Sequence, residues 1–442
     1  LNIFKYYILI HRRNQTMLDI NLIVNNPTYV HDALLKKGFD VDFAPLISLY
    51  EQRKKLIAQG DEPKTQKNKL SASVPVVKKE GGDVEAIFRQ VKELNAEIQK
   101  FDAELAKVEE DIFAFMSPLP NMPDDDLLAG EKENNKVIKV FGEKPTFDFA
   151  PLDHVQLCEK LGLVDYERAA KVSGRGTWFY TDLGARLEWA LLNYFIDTHI
   201  NDGYKFILPP HILNEESGYT AGQFPKFKQD VFWLEGVEPK KFILPTAETA
   251  LVNYHRNEIL KEEDLPEKLF AYTPCYRCEA GSYRTEERGM IRGFQFNKVE
   301  MFQYATEKNS RQSFDELVDK ACKLVENLGL HFRLSKLAAG DCSHSMARTY
   351  DIEVYIPSMG IYKEVSSASN ANDYQARRGN IRYKDSQTGK IKYCHTLNAS
   401  GLATSRVFPA LLEQCQNADG SVTIPHVLRK YLGGMEKIYP KK

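Results

Sequence analysis

The chain has 442 residues, 43% of them apolar, which is enough for two or three domains and a substantial core and excludes a small module stapled by disulfides. With 59 Lys and Arg against 61 Asp and Glu, the formal charge of −2 advertises no nucleic-acid or membrane partner, so any such partner has to be met by a local patch. Charged residues at 27%, with 26 Gly and 20 Pro, exclude a collagen-like or wholly disordered chain and suit a soluble, intracellular protein.

Residues 1–16, LNIFKYYILIHRRNQT, carry a short apolar run interrupted by Lys5 and lack a small-residue cleavage site. With Met17 as the natural start, they read as a leader extension, a mitochondrial presequence being the alternative. No stretch approaches the roughly 18 apolar residues of a membrane helix, so no membrane partner is expected.

After Met17, LDINLIVNNPTYVHDALLKKG reads as a short helical lead-in. The next long feature is the series Val84, Ile87, Val91, Leu94, Ile98, Phe101, Leu105, Val108, Ile112 and Phe115, spaced alternately three and four apart and so lying on one seam of a helix. That seam spans about 48 Å at the rise of an α-helix, and it needs a partner. A weaker pattern precedes it, Leu46, Leu49, Leu56, Leu70 and Val74, with Arg53, Gly60, Pro63 and Lys67 on the intervening seam positions. Proline inside a helix costs about 3 kcal/mol and glycine about 1 kcal/mol, so a break or kink is expected near residues 60–63. Pro75 and Gly81-Gly82 put the turn of this antiparallel hairpin within Ser73 to Asp83.

Periodicity suits a dimerisation coil as well as a ligand-binding arm, but charge favours the arm. Between Arg53 and Lys79, eight basic residues (Arg53, Lys54, Lys55, Lys64, Lys67, Lys69, Lys78, Lys79) face only Asp61 and Glu62, whereas Val84 to Ser117 carries four basic and eight acidic residues. A basic first helix and tip suits a phosphate backbone, because each neutralised phosphate releases counterions. The N-terminal arm is therefore placed at residues 17–117, and the Pro- and Asp-rich SPLPNMPDDD opens a linker over 118–136.

From residue 137 to 442 the pattern is mixed. An amphipathic helix from about Gly184 to Asn201 is followed by β-type runs YKFILPP, KKFILPT, FQFNKVEMF and YDIEVYIP at hairpin-like spacing. The expected class is α+β, a largely antiparallel sheet with helices packed on it. Seven dispersed cysteines argue for reduced thiols. Cys275 and Cys278 have zinc-knuckle spacing, but nothing follows to complete four ligands, and no zinc is expected.

There is no G-x-x-x-x-G-K-[ST], and Gly174-Arg175-Gly176 is too short for a dinucleotide fingerprint, so phosphates would be held by side chains. The stretch YRCEAGSYRTEERGMIRGFQFNKVEMF, Tyr276 to Phe302, reads as strand, polar loop, strand. Alternation puts Arg277 and Glu279 on one face of the first strand, and Phe296, Lys298 and Glu300 on one face of the second. This stretch resembles motif 2 of the class II aminoacyl-tRNA synthetases, in the form found in the seryl-tRNA synthetase family. Further family-like segments are Leu244 to Glu248, Lys363 to Ser367, Gln375 to Arg378, and His395 to Asn398 running on to Arg406. Together with the arm, the resemblance covers nearly everything from Met17 to about Gly434. Motif 1 resembles the helix ending near Asn201 and the strand YKFILPP, with Pro209 or Pro210 as its proline.

The resemblance implies a cytoplasmic homodimer that activates L-serine with ATP and transfers it to serine tRNA, with selenocysteine tRNA as a further candidate acceptor. It implies that Arg277 bridges the serine carboxylate and the α-phosphate, Glu279 reads the adenine amino group, Phe296 stacks on the ring with Arg292 nearby, and Arg406 holds the γ-phosphate. Glu364, Val365, Ser366 and Ser367 resemble the rest of the ATP site, Glu364 and Ser367 being the pair that takes Mg²⁺. Serine would fall to Thr246, Glu248, Arg277, Glu300, Asn398 and Ser400, and the tRNA to the eight basic residues of the arm. A synthetase-like ligase acting on a carrier and a non-catalytic RNA-binding paralogue are the rival readings. The first tends to lack an arm, and Arg277, Glu300, Glu364 and Arg406 speak against the second. Departures from the family pattern are Thr404-Ser405, the run Cys342-Ser343-His344-Ser345, Ala368 and Ala371, and Gly60 and Pro63 in the arm.

Overall fold

The computed structural model describes residues 17–279 and 289–441. The expected leader, residues 1–16, lies outside the described residues. Two compact units are present, one comprising residues up to Asp32 with Asp40–Leu119, the other Ala33–Phe39 with Pro120 onward.

In the first unit the lead-in begins as helix α1 (Ile20–Asn25), whose cap Asp19 accepts a hydrogen bond from the Asn21 N–H at 2.9 Å. Helix α2 (Pro27–Leu35) follows. Helices α3 (Ala44–Lys79) and α4 (Val84–Met116) then pack along each other as the hairpin. Ile87, Ile98, Val108 and Ile112 are buried in the seam against a side that includes Leu46 and Leu56. The break expected near residues 60–63 does not occur: α3 runs unbroken through Gly60, Pro63 and Pro75. Gly60 and Pro63 are themselves buried in the seam, and packing along the whole hairpin outweighs one lost ladder bond at each proline. The turn is also shorter than expected. It comprises only Glu80 to Asp83, with Gly81 at φ +71° and Asp83 capping α4 by accepting from the Ala86 N–H at 2.9 Å. Two interhelical ion pairs fix the register, Arg53–Glu109 at 3.4 Å and Lys64–Asp102 at 2.9 Å.

The second unit holds more than the sequence assigned to it. Residues 118–136 do not form a free linker. The Asn121 amide donates to the carbonyls of Ser345 at 2.9 Å and Ala371 at 2.7 Å, and Arg348 donates to Asp124 at 2.7 Å and pairs with Asp126. The aspartates that read as solvated punctuation have a partner more than two hundred residues away, which local pattern does not reveal. Likewise Lys37, from the expected arm, donates to the carbonyls of Ser343 at 3.1 Å and Met346 at 2.7 Å within this unit.

The centre of the unit is an eight-stranded sheet of β1 (Lys136–Phe141), β2 (Lys205–Ile207), β3 (Glu267–Tyr276), β4 (Gln295–Ala305), β5 (Phe332–Lys336), β6 (Arg348–Ile356), β7 (Ile361–Asn370) and β8 (His395–Ala403). Their order is β1-β5-β6-β7-β8-β4-β3-β2, antiparallel throughout except for the parallel pair β2 and β3. The run KKFILPT is not part of this sheet: Lys241–Ile243 pairs with Ile212–Asn214 in a separate two-stranded ribbon. Helices α5 (Leu183–Asn201), α6 (Ser310–Asn327) and α7 (Thr404–Gln414) pack on the large sheet. Alternation on β4 sends Val299 and Met301 into the core shared with α5 to α7, and Phe302 and Tyr304 into a second core on the other face.

A methyl group on Gly60 would stand 3.7 Å from the Phe101 Cβ, an ordinary contact, and the backbone there is helical. Gly60→Ala is expected to raise arm stability by about 0.5–1 kcal/mol, read as an increase in the melting temperature of the helical signal; a decrease would show that the seam has no room for it.

Candidate active site

The end of β3, the start of β4, the middle of β7 and the junction of β8 with α7 converge on one cleft that is open to solvent. Arg277, Glu279, Arg292, Phe296, Glu364, Val365, Ser400 and Arg406, eight of the sequence-derived candidates, line it, together with Ile291, Gly293, Lys298, Ala403 and Ser405. One placement differs from expectation. β3 ends at Tyr276, so Arg277 and Glu279 lie beyond the strand, with Glu279 at φ +49°. The Arg277 N–H still donates to the Phe294 carbonyl at 3.0 Å, so Arg277 continues the pairing with β4 and shares the face of Phe296 as alternation expects, whereas Glu279 reaches the cleft from beyond the strand in a left-handed conformation.

The arginines are oriented by contacts that leave part of each fork open. Arg277 donates from Nε to the Pro245 carbonyl at 3.3 Å and lies over the Phe296 ring, 5.2 Å from its centroid. Its terminal nitrogens have no protein partner among the described residues. Arg292 pairs with Glu279 at 2.9 Å, and Arg406 donates to the Glu364 carbonyl at 2.7 Å while standing 3.6 Å from its carboxylate. Burial works against ionisation of Glu364, but Arg406, Ser367 and Arg277 outweigh it and hold its pKa below the ordinary value. Beside it, Asp351 accepts from the Ser367 hydroxyl at 2.7 Å, and burial followed by the Glu364 charge pushes its pKa well up. Ser366 turns away from the cleft and donates to the Ser400 carbonyl at 2.6 Å.

Thr246, Glu248, Glu300 and Asn398 do not line the cleft but form a polar set next to it, buried except for the half-buried Glu248. Asn398 donates to Glu300 at 3.0 Å, and Glu300 is paired with Lys298, whose ammonium also donates to the Thr246 hydroxyl at 2.7 Å. Lys298, 6% exposed, is the residue that joins this set to the cleft, and the sequence reading gave it no role. Its position two residues before Glu300 on a strand was the available signal. Gln375 is a second omission: it donates to Glu248 at 2.7 Å and accepts from the Thr396 hydroxyl at 2.7 Å. Burial, then the charge of Glu300, pushes the Glu248 carboxyl up to about 7. The arm residues divide as well: Arg53 and Lys64 are spent on interhelical pairs and Lys54 pairs with Glu51, while Lys55, Lys69, Lys78 and Lys79 are exposed without an ion pair among the described residues.

Residues 232–415 match the model of the tRNA synthetase class II core domain (G, H, P, S and T), and residues 17–123 match that of the seryl-tRNA synthetase N-terminal domain. An antiparallel sheet carrying this cleft is thus a class II aminoacyl-tRNA synthetase core. The chain is 60% identical over 422 residues to serine–tRNA ligase 2 of Clostridium acetobutylicum, covering 94% of this chain and 99% of that protein. It is 42% identical over 424 residues to serine–tRNA ligase of Syntrophomonas wolfei, covering 96% and 99%. The crystal structure of seryl-tRNA synthetase from Pyrococcus horikoshii complexed with ATP is similar at a TM-score of 0.86 and 31% identity, over 96% of this chain and 100% of that one. The chain belongs to the seryl-tRNA synthetase family, and its activity is the ligation of serine to tRNA. No helix among the described residues is long and apolar enough to cross a membrane.

The Glu248 pKa lies above its ordinary value of 4.5, so folding favours the protonated form. That contribution to stability is full below about pH 4.5 and lost as the pH rises through about 7. Glu248→Gln, which preserves an acceptor for Gln375, is expected to shrink the fall in melting temperature across this window; an unchanged slope would remove Glu248 as its source.

Proposed function

We propose that the cleft binds ATP and that the polar set beside it reads serine. The observation that carries this reading is the convergence of Arg277, Glu279, Phe296, Glu364 and Arg406, drawn from four separate sequence segments, on one opening. Phe296 and Arg277 offer a flat surface and a fork for a base and an α-phosphate. Glu279, held by Arg292, reads the adenine amino group, and Arg406 takes the γ-phosphate. Arg277 also takes the serine carboxylate, bringing nucleophile and electrophile together and neutralising charge as it develops. No general base is needed, because the attacking carboxylate is already an anion. Pyrophosphate leaves, and the terminal ribose hydroxyl of the tRNA then takes the seryl group.

The serine set is Thr246, Glu248, Arg277, Glu300, Asn398 and Ser400. Glu248, whose partner Gln375 is a neutral amide, is the carboxyl that no protein cation balances and that the α-ammonium would draw into its charged form, whereas Glu300 is balanced by Lys298. A site that hydrogen-bonds the substrate hydroxyl rejects the analogue lacking it by about 10⁴ to 10⁵. Oxygen donors at Glu364, kept anionic by Arg406, and at Ser367 fit Mg²⁺, which prefers such ligands and few of them from protein. When bound, the ion would supply positive charge against the phosphates.

The arm within residues 17–117 is proposed to dock serine tRNA through Arg53, Lys54, Lys55, Lys64, Lys67, Lys69, Lys78 and Lys79, with the chemistry confined to the body from residue 137. The exposed Lys55, Lys69, Lys78 and Lys79 are its principal phosphate contacts. A cytoplasmic homodimer completes the reading.

Serine-dependent ATP–pyrophosphate exchange is the direct test, and Arg277→Ala is expected to abolish it; near-normal exchange in that variant, or faster exchange with alanine or threonine, would sink the assignment. Lys78→Glu/Lys79→Glu is expected to leave exchange intact while cutting tRNA charging by about tenfold or more at physiological salt, and equal charging of serine tRNA with and without its variable arm would undo the arm's role.

A further inference from the structure

Glu188, on α5, is 2% exposed and lies on the face of β4 opposite Phe296 and Lys298. Its Oε1 accepts from the Asn297 amide at 2.8 Å and from the Thr404 hydroxyl at 2.6 Å. Asn297 sits between Phe296 and Lys298, both of which line the cleft, and Thr404 opens α7 two residues before Arg406. The Thr404 hydroxyl also stands 3.2 Å from the Asn297 carbonyl, and the Tyr272 hydroxyl donates to the Asn297 side-chain carbonyl at 3.2 Å, turning the amide N–H groups toward Glu188. One carboxyl oxygen of α5 therefore ties together β4 and α7, two elements that bring residues to the cleft from different parts of the chain. A buried carboxyl is a costly way to fill space, and an apolar side chain would serve for packing alone.

We propose that Glu188 is a positioning residue for adenylate formation: its Oε1 fixes the spacing between β4, which carries Phe296 and Lys298, and the start of α7, which carries Arg406. The inference rests on the reading of Phe296 and Arg406 as ATP-binding groups. The titratable groups facing Glu188 are the Tyr180 hydroxyl and, through Asn297, that of Tyr272; no cation pairs with it among the described residues. Burial accordingly favours its neutral form and pushes its pKa up to about 7, against the hydrogen bonds from Thr404 and Asn297. Both positioning bonds use the same oxygen, and Oε2 makes none. A protonated carboxyl keeps both bonds, and so does a glutamine.

The test compares Glu188→Gln, Glu188→Ala, Thr404→Val and Arg406→Ala in ATP–pyrophosphate exchange, with rates expressed per active site by titrating the adenylate burst. Glu188→Ala and Thr404→Val are expected to lower kcat by about tenfold or more, since misplacement of about 1 Å can cost 10²-fold, and to raise KM for ATP more than KM for serine. Glu188→Gln is expected to restore both parameters to within about twofold of the parent. A role in folding alone would lower the fraction of active sites and leave kcat per site and the KM ratio untouched, and that result overturns the proposal. So does a Glu188→Gln enzyme as impaired as Glu188→Ala. If Glu188→Ala does not fold, Thr404→Val carries the same decision. An Arg406→Ala enzyme with an unchanged KM for ATP would instead overturn the ATP-site reading beneath it.

Discussion

Strand β4 is buried on both faces from Lys298 onward, and yet it carries an ammonium and a carboxylate on one of them. That placement is tenable only because Lys298 and Glu300 neutralise each other and their remaining capacity is taken by Thr246 and Asn398. Deleting either member would strand a buried charge, at a cost of about 3–5 kcal/mol. The pair thus commits neighbouring strands and loops: β8 must bring Asn398, and the segment before β3 must bring Thr246. The polar set beside the cleft and the packing of the sheet centre are one arrangement.

The far side of the cleft is shaped by an irregularity in β8. Its pairing with β4 shifts register between Ser400 and Ala403, and within that bulge Leu402 adopts φ +79°, a conformation unfavourable for a bulky side chain. Gly401 admits it, since a Cβ there would come within 2.5 Å of the buried His199 ring. The bulge re-aims the chain so that Ser400, Ala403, Ser405 and Arg406 all reach the opening. Local strain of this kind persists where surrounding packing over-determines it, and Leu402 is fully buried.

The legible parts of the sequence were those governed by short-range pattern. The three-four spacing of Val84 to Phe115 gave the α4 seam, and alternation over Phe296, Lys298 and Glu300 gave one face of β4. What alternation could not supply was the placement of Glu279, which lies beyond β3 in a left-handed conformation. The proline penalty at Pro63 was real but local, and seam packing overrode it. Lys298, Gln375 and Glu188 escaped because their partners, Thr246, Glu248 and Thr404, are distant in sequence, and a buried charge is invisible until its partner is known. Asp124 and Asp126 were misread as linker for the same reason.

The hairpin's cross-links are unevenly distributed. Arg53–Glu109 joins the two helices toward the end away from the turn and Lys64–Asp102 near the middle, whereas the Arg89–Asp83 pair nearer the turn lies on one side of the hairpin and joins nothing across it. Val76 and Phe88 near the turn are more than half exposed, but they lie off the seam, which Ile87 keeps closed there. Among the described residues no interhelical ion pair lies between Lys64–Asp102 and the turn, so the end bearing Lys78 and Lys79 is held by seam packing alone. An arm graded in this way would hold its overall direction while its end conforms to an RNA surface, and the ordering entropy of that end would enter the binding free energy.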